Sequence, residues 1–209
     1  MFKKILIGLV GCVGLCAVSQ AQRRLTETTL IYKVYFDDTA AATQISSSSA
    51  TTTCYLKGIS SRTDLVTAAG KQSTLFLAKT EQVVLLKEYG GQRYMTRLPK
   101  AQWEQSSTKY REARLTFLSD TLRLAGYSCN KIVATIKDSS TITIWYTKEL
   151  MPLNKTYLPL ADAVPGLILA FESLGADSKV RYQIDQIIFG PVQQMLFDIP
   201  ETGYRLLEN

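Results

Sequence analysis

Apolar and polar residues alternate with a period of two along most of this chain, the pattern of half-buried β-strands rather than of helices. In residues 30–36, Leu30, Tyr32, Val34 and Phe36 fall on one side. Residues 39–53 (TAAATQISSSSATTT) have little to bury and read as a hairpin loop. The next strand, over 52–59, carries Cys54, Tyr55 and Leu56. Residues 72–78, 82–88 and 92–98 read as a meander, with Gly90-Gly91 supplying a tight turn before the last strand. The polar stretch 99–114 is weakly helical and fits either a short helix or an irregular crossover.

Residues 127–137 and 141–147 form a further hairpin around Asp138-Ser139-Ser140, with Ile142, Ile144 and Tyr146 sharing a face. Residues 151–165 contain Pro152, Pro159 and Pro165; proline removes a ladder donor, so this is a loop wrapping an edge. Residues 167–171 are a short apolar strand. Val180, Tyr182 and Ile184 alternate with polar neighbours until Ile187-Ile188-Phe189, where the register shifts as at a β-bulge. Residues 195–204 hold no long helix. About nine short strands with frequent turn signals predict a mainly β fold. It takes the form of one large curved antiparallel sheet or open half-barrel, with one or two short helices and one buried face.

The N-terminus changes the domain count. Lys3 and Lys4 precede an apolar run over 5–18, and Ser19-Gln20-Ala21 gives a small-x-small cleavage pattern. The run is shorter than the about 20 residues a membrane span needs. Residues 1–21 therefore read as a cleavable signal peptide, residues 22–209 as a single β-rich domain, and the expected location is the periplasm. A competing reading takes Leu9-Val10-Gly11-Cys12 as a lipobox with Cys12 lipidated, but the apolar run continues past Cys12. No second apolar run approaches membrane length.

The formal net charge of +6 includes Lys3 and Lys4, and the remaining basic residues are scattered among Thr, Gln and acids. Nucleic-acid binding needs a positive stripe along the phosphates, and none is present. With no histidine in the chain, Ser-His-Asp and Cys-His catalysis and nearly all zinc sites are excluded. No phosphate loop, dinucleotide fingerprint or nucleophile elbow occurs. Carboxylates are few and scattered, and Asp37-Asp38 lacks the further oxygen ligands calcium needs. The expectation is a non-enzymatic protein with no metal or cofactor; the enzymatic alternative is a hydrolase whose two carboxylates meet only in three dimensions.

Cys54 and Cys129 remain after signal removal and are a candidate disulfide; closing a loop of about 75 residues would stabilise the fold by roughly 4 kcal/mol. The alternative is two separate buried thiols. The chain has 11 tyrosines. Tyr32, Tyr55, Tyr94, Tyr127, Tyr146 and Tyr182 sit on predicted strands, where they either line a concave face suited to an amphiphile or serve ordinary sheet packing.

Three ordered motifs carry a family resemblance. Ala125-Gly126-Tyr127-Ser128-Cys129-Asn130-Lys131 is followed by Ile144-Trp145-Tyr146-Thr147, then by Val164-Pro165-Gly166-Leu167-Ile168-Leu169. Phe197-Asp198-Ile199-Pro200 and Gly203-Tyr204 close the series. The order resembles the GLPGLI family of exported Bacteroidota proteins of unknown function, although Ala163 and Val164 stand where that family has Gly and Leu. The resemblance implies an exported β-rich protein with the curved half-barrel of LolA-like lipoprotein carriers, and no known activity. Pro165-Gly166 reads as a type II turn launching the next strand. Asp38-Thr39-Ala40 and Asp120-Thr121-Leu122 resemble the short motifs at which Bacteroidota O-glycosylate exported proteins, and Thr39 is the better candidate. Two functions follow as expectations. One is binding of an amphiphilic small molecule within the curved sheet; the other is capture of an envelope protein at an open sheet edge.

Overall fold

The computed structural model describes residues 22–36, 50–106, 108–174 and 179–207. The expected signal peptide, Cys12 and Thr39 lie outside these residues. The elements, in chain order, are β1 (Arg23–Leu25), β2 (Glu27–Phe36), β3 (Thr51–Lys57), β4 (Ser60–Thr67), β5 (Gly70–Leu77), β6 (Gln82–Tyr89) and β7 (Gln92–Pro99). A helical connection follows, α1 (Lys100–Ser106) and α2 (Thr108–Arg111). Then come β8 (Arg114–Leu124), β9 (Tyr127–Thr135), β10 (Thr141–Thr147), β11 (Leu150–Pro152), β12 (Leu167–Leu174) and β13 (Lys179–Phe189). A 3-10 turn (Gln194–Phe197) and β14 (Arg205–Leu206) complete the set.

Twelve of the strands form one sheet in the order β14-β7-β6-β5-β4-β3-β2-β13-β12-β10-β9-β8, and β1 and β11 pair separately in parallel. The mainly β expectation holds, with one correction: the large sheet is mixed, because β14 lies parallel to β7. The ends, β14 and β8, do not pair, so the sheet is not closed into a barrel. The strands form where alternation predicts them. On β2, Thr28, Leu30, Tyr32 and Val34 are buried while the residues between them are not. Gly90 and Gly91, at φ 57° and 76°, make the two-residue turn that joins Tyr89 to its partner Gln92, a conformation that L side chains resist. The bulge on β13 falls at Asp185, slightly before the expected position at Ile187-Ile188-Phe189.

The cross-strand registers define two faces. One transverse row runs Tyr32, Thr52, Leu65, Gln72, Lys87, Tyr94 across β2 to β7. On this first face lies the main core, with Leu30, Tyr32, Leu56, Ile132 and Ile144 each nearly inaccessible. The proline-containing segment after β11 does not wrap an edge as expected. It folds over the core, burying Tyr157, Ala161 and Val164. A sheet this wide leaves its middle strands exposed on one side unless something covers them, and this segment supplies the cover.

The expectation of one buried face is also corrected. On the opposite face Leu75, Val84, Leu86 and Met95 form a second core, against which Ile199 and Tyr204 pack. Besides the pairing of β14 with β7, side-chain hydrogen bonds hold the C-terminal segment to this face. Lys57 Nζ donates to the Val192 carbonyl at 2.7 Å, Arg62 Nη1 donates to the Leu196 carbonyl at 2.7 Å, and the Tyr204 hydroxyl donates to Glu88 at 2.6 Å.

Pro165-Gly166 is a turn, but not of type II. Gly166 does not adopt positive φ; its N–H donates to the Val164 carbonyl at 2.9 Å, closing a three-residue turn around Pro165. Glycine is needed there for a different reason: a Cβ would lie 2.0 Å from the Thr147 carbonyl oxygen.

Candidate functional site

The curl of the sheet brings β3–β5 opposite β10, β12 and β13 on the first face, and a cavity of about 200 Å³ lies between them. Its two walls differ in chemistry. Thr52, Thr63, Gln72 and Thr74 make one wall hydroxyl- and amide-rich, with Leu65 among them. Ile142, Ile144 and Phe171 make the other wall mostly apolar, with Glu172, Ser173 and Tyr182 also lining it. Tyr110 from α2 and Leu158 and Pro159 from the covering segment complete its lining. Register explains the placement. Thr52 pairs with Leu65, Leu65 with Gln72, and Thr63 with Thr74, so these side chains point the same way.

One hydroxyl in the cavity wall is unanswered. Thr52 is 4% exposed, and its Oγ1 is buried with no hydrogen-bond partner among the described residues. An unsatisfied buried hydroxyl costs about 1–3 kcal/mol. Its neighbour Thr63, by contrast, donates to Cys54 Sγ at 3.6 Å. The charge near the cavity is internally balanced. Glu172 accepts from the Thr143 N–H at 2.9 Å and pairs with Lys179 at 3.3 Å.

Of the six strand tyrosines, Tyr182 lines the cavity, its ring stacked on Phe171 at 4.4 Å with an interplanar angle of 1°. Tyr32 is buried, donating its hydroxyl to the Ile168 carbonyl at 2.8 Å; Tyr157 accepts from the Ile168 N–H at 3.3 Å. Together they clamp the backbone that enters β12. Burial pushes both phenols above their ordinary range. Tyr146 is buried in the same core, and Tyr127 packs against it. Tyr94 shares the first face but belongs to β7, away from the cavity lining. Tyr55 faces the other way, opposite Arg62. Alternation placed these rings on strands but could not distinguish the cavity from the packed core. Thr52 and Tyr110 escaped the sequence reading. Thr52 opened a predicted strand but carried no chemical signal of its own, and Tyr110 lies in the stretch whose conformation the pattern left open.

Cys54 and Cys129 are free thiols, not a bridge, and both are buried in the main core. They stand on β3 and β9, which lie apart in the strand order. Burial pushes the Cys54 thiol up to about 12 and the Cys129 thiol up to about 11, so neither forms thiolate at neutral pH. For protein comprising residues 22–209, two thiols are expected to react with Ellman's reagent in urea and none under native conditions at pH 8. A count of zero in urea would establish the bridge instead.

A second cavity of about 450 Å³ lies near Glu27, Lys57, Gln194 and Phe197. It is larger; in it Glu27 accepts from the Val192 N–H at 2.7 Å and from Lys57 at 3.1 Å, and Lys79 also lines it. No group of three or more Cys, Asp or Glu side chains among the described residues is placed to hold a metal ion. No helix among them is long and apolar enough to cross a membrane.

Residues 40–165 match the family described as a domain of unknown function, DUF4412. No curated protein matches the chain. Among solved structures, an uncharacterized conserved protein from Thermus thermophilus is similar at 10% identity and a TM-score of 0.53, over 87% of this chain and 90% of that one. This likeness supports the fold. PNGF-II is similar at 15% identity and a TM-score of 0.49 over 88% of this chain; the alignment spans only 32% of that longer chain. A LolA superfamily protein from Nitrosomonas europaea is similar at 10% identity and a TM-score of 0.36, over 86% of this chain and 93% of that one.

Proposed function

Because the family match spans more than half of its length, the chain belongs to the DUF4412 family, and from that premise we propose that it is a non-enzymatic protein that shelters an amphiphilic small molecule in the curl of its sheet. The observation that carries this reading is the cavity on the first face, mostly apolar on one wall and rich in hydroxyl and amide groups on the other. Ligand sites are mostly apolar concavities with a few polar groups that fix orientation, and this cavity has that composition. The basic, apolar and small-residue succession of residues 1–21 supports export to the periplasm ahead of this role. The ordered motifs that resemble the GLPGLI family support the same compartment.

Protein purified from a periplasmic extract is expected to carry a small adduct in native mass spectrometry that organic solvent releases. Leu65 lines the cavity without being fully buried, so Leu65→Trp fills the space from its rim. That variant is expected to lose the adduct while keeping its unfolding midpoint. A bare protein mass with an empty extract, or an adduct that survives Leu65→Trp, overturns the reading.

The second reading, capture of a partner strand, has one observation in its favour: among the described residues, β8 ends the ladder with no strand on its outer side. A bulge between Leu118 and Thr121 interrupts that edge, and bulges are a device that discourages strand addition. The cavity is therefore the better-supported site.

A further inference from the structure

The two walls of the cavity define the chemistry of its occupant, and this inference rests on the binding role proposed above. We propose that the occupant is uncharged: a neutral amphiphile whose alcohol, ester or amide group meets Thr52 and whose alkyl part lies against Ile144 and Phe171.

The unanswered Thr52 hydroxyl, nearly inaccessible and bordering the cavity, calls for a hydrogen-bonding atom at that position. Gln72, on the same face one strand beyond Leu65, adds amide donors and an acceptor to the same wall. Among the described lining residues there is no cation, and the one charged group, Glu172, is committed to Lys179 and to the Thr143 N–H. Arg181 pairs with Glu172 across β12 and β13 but is not among the lining residues; its guanidinium lies 5.1 Å from the Tyr35 ring centroid. A carboxylate or phosphate entering this cavity would lose its hydration without gaining a counter-ion, and an ammonium would find its carboxylate already engaged. A neutral hydroxyl or carbonyl loses far less and satisfies Thr52. The size agrees. A cavity of about 150 Å³ with apolar walls takes benzene, so about 200 Å³ suits a short alkyl segment or a single ring.

The test is isothermal titration of 1-octanol, octanoate and octylammonium into protein comprising residues 22–209, and into Thr52→Val and Thr52→Ser. Octanol is expected to bind at least tenfold more tightly than either ion. Thr52→Val, which keeps the shape and removes the hydroxyl, should weaken octanol by about threefold to tenfold; Thr52→Ser should restore it. The Val variant should unfold at the same urea concentration as the parent or higher, so weaker binding cannot be ascribed to a damaged fold. Octanoate or octylammonium binding as tightly as octanol, or octanol binding untouched by Thr52→Val, overturns the neutral class. If none of the three binds while the Leu65→Trp-sensitive adduct persists, the neutral class falls and the cavity-binding reading stands. If the adduct is missing as well, both fall.

Discussion

Replacing Gly166 with alanine is expected to cost about 3 kcal/mol or more of folding stability, seen as a lowered urea midpoint at unchanged slope. The added Cβ would lie 2.0 Å from the Thr147 carbonyl oxygen and 2.8 Å from its carbon. Both obstacles are backbone, so no side-chain rotation relieves them. Thr147 is itself fully buried and paired with Leu167, so relief requires β10 and β12 to separate next to the Tyr32 and Tyr157 clamp on Ile168. Gly90 is the control. It has positive φ and open space around it, so alanine there meets only the left-handed backbone penalty of about 1–2 kcal/mol. Equal midpoint shifts for the two variants would show that the close approach at Gly166 is not what requires glycine.

Asp64→Asn is expected to destabilise the protein by about 3 kcal/mol at pH 7, the scale for removing one partner of a buried ion pair. Asp64 is 8% exposed at its side chain and receives Arg62 Nε at 2.7 Å; Lys71 Nζ lies 3.0 Å from its other oxygen. Arg62 is itself 14% exposed, so without Asp64 it keeps a buried charge with only neutral partners. Lys71 is more solvated and contributes less. The consequence extends beyond the pair, because Arg62 also holds the Leu196 carbonyl and thereby the C-terminal segment over the second core. Amide exchange over residues 194–207 should quicken in the variant. The pH dependence has a definite sign. Burial pushes the Asp64 carboxyl up, but the hydrogen bonds from Arg62 and Lys71 outweigh it and hold the carboxyl below its ordinary value. A depressed carboxyl stabilises the fold fully above its unfolded value of about 3.9 and loses that contribution as pH falls through the folded value. The gap between parent and variant should therefore narrow between pH 5 and pH 3. A gap of constant size would remove Asp64 as its source.

How much of this could be read from residues alone depends on whether a strand has one greasy side. β2, β9 and β10 do, since each carries a run of buried aliphatic or aromatic residues at alternate positions, and all three were legible. β4 was not. Thr63 faces the cavity while Arg62 and Asp64 pair on the other face, so neither side of that strand looks apolar. β8 was missed because an edge strand is wet on most of its surface; Phe117 is 55% exposed. The turn at Gly90-Gly91 was legible because two adjacent glycines have few other uses. Gly166 was assigned the wrong necessity: a glycine kept for lack of a Cβ cannot be told from one kept for its φ without knowing what stands beside it. The cavity was invisible for a related reason. Thr52 and Thr74 lie far apart along the chain from Ile144 and Phe171, and the curl of the sheet brings them together.

The middle of the ladder is made of β2, β13 and β12, drawn from the two ends of the sequence. The stretch that defines the family, residues 40–165, contains none of the three. An excised segment with those limits would be two ribbons, β3 to β7 and β8 to β10, joined by the α1–α2 connection but with no spine between them and no hollow. The seam that unites them joins residues about 150 positions apart, so assembly must wait for a rare, distant encounter before local pairing is rewarded. This protein is accordingly expected to mature slowly, and the hollow to be among its last features to form.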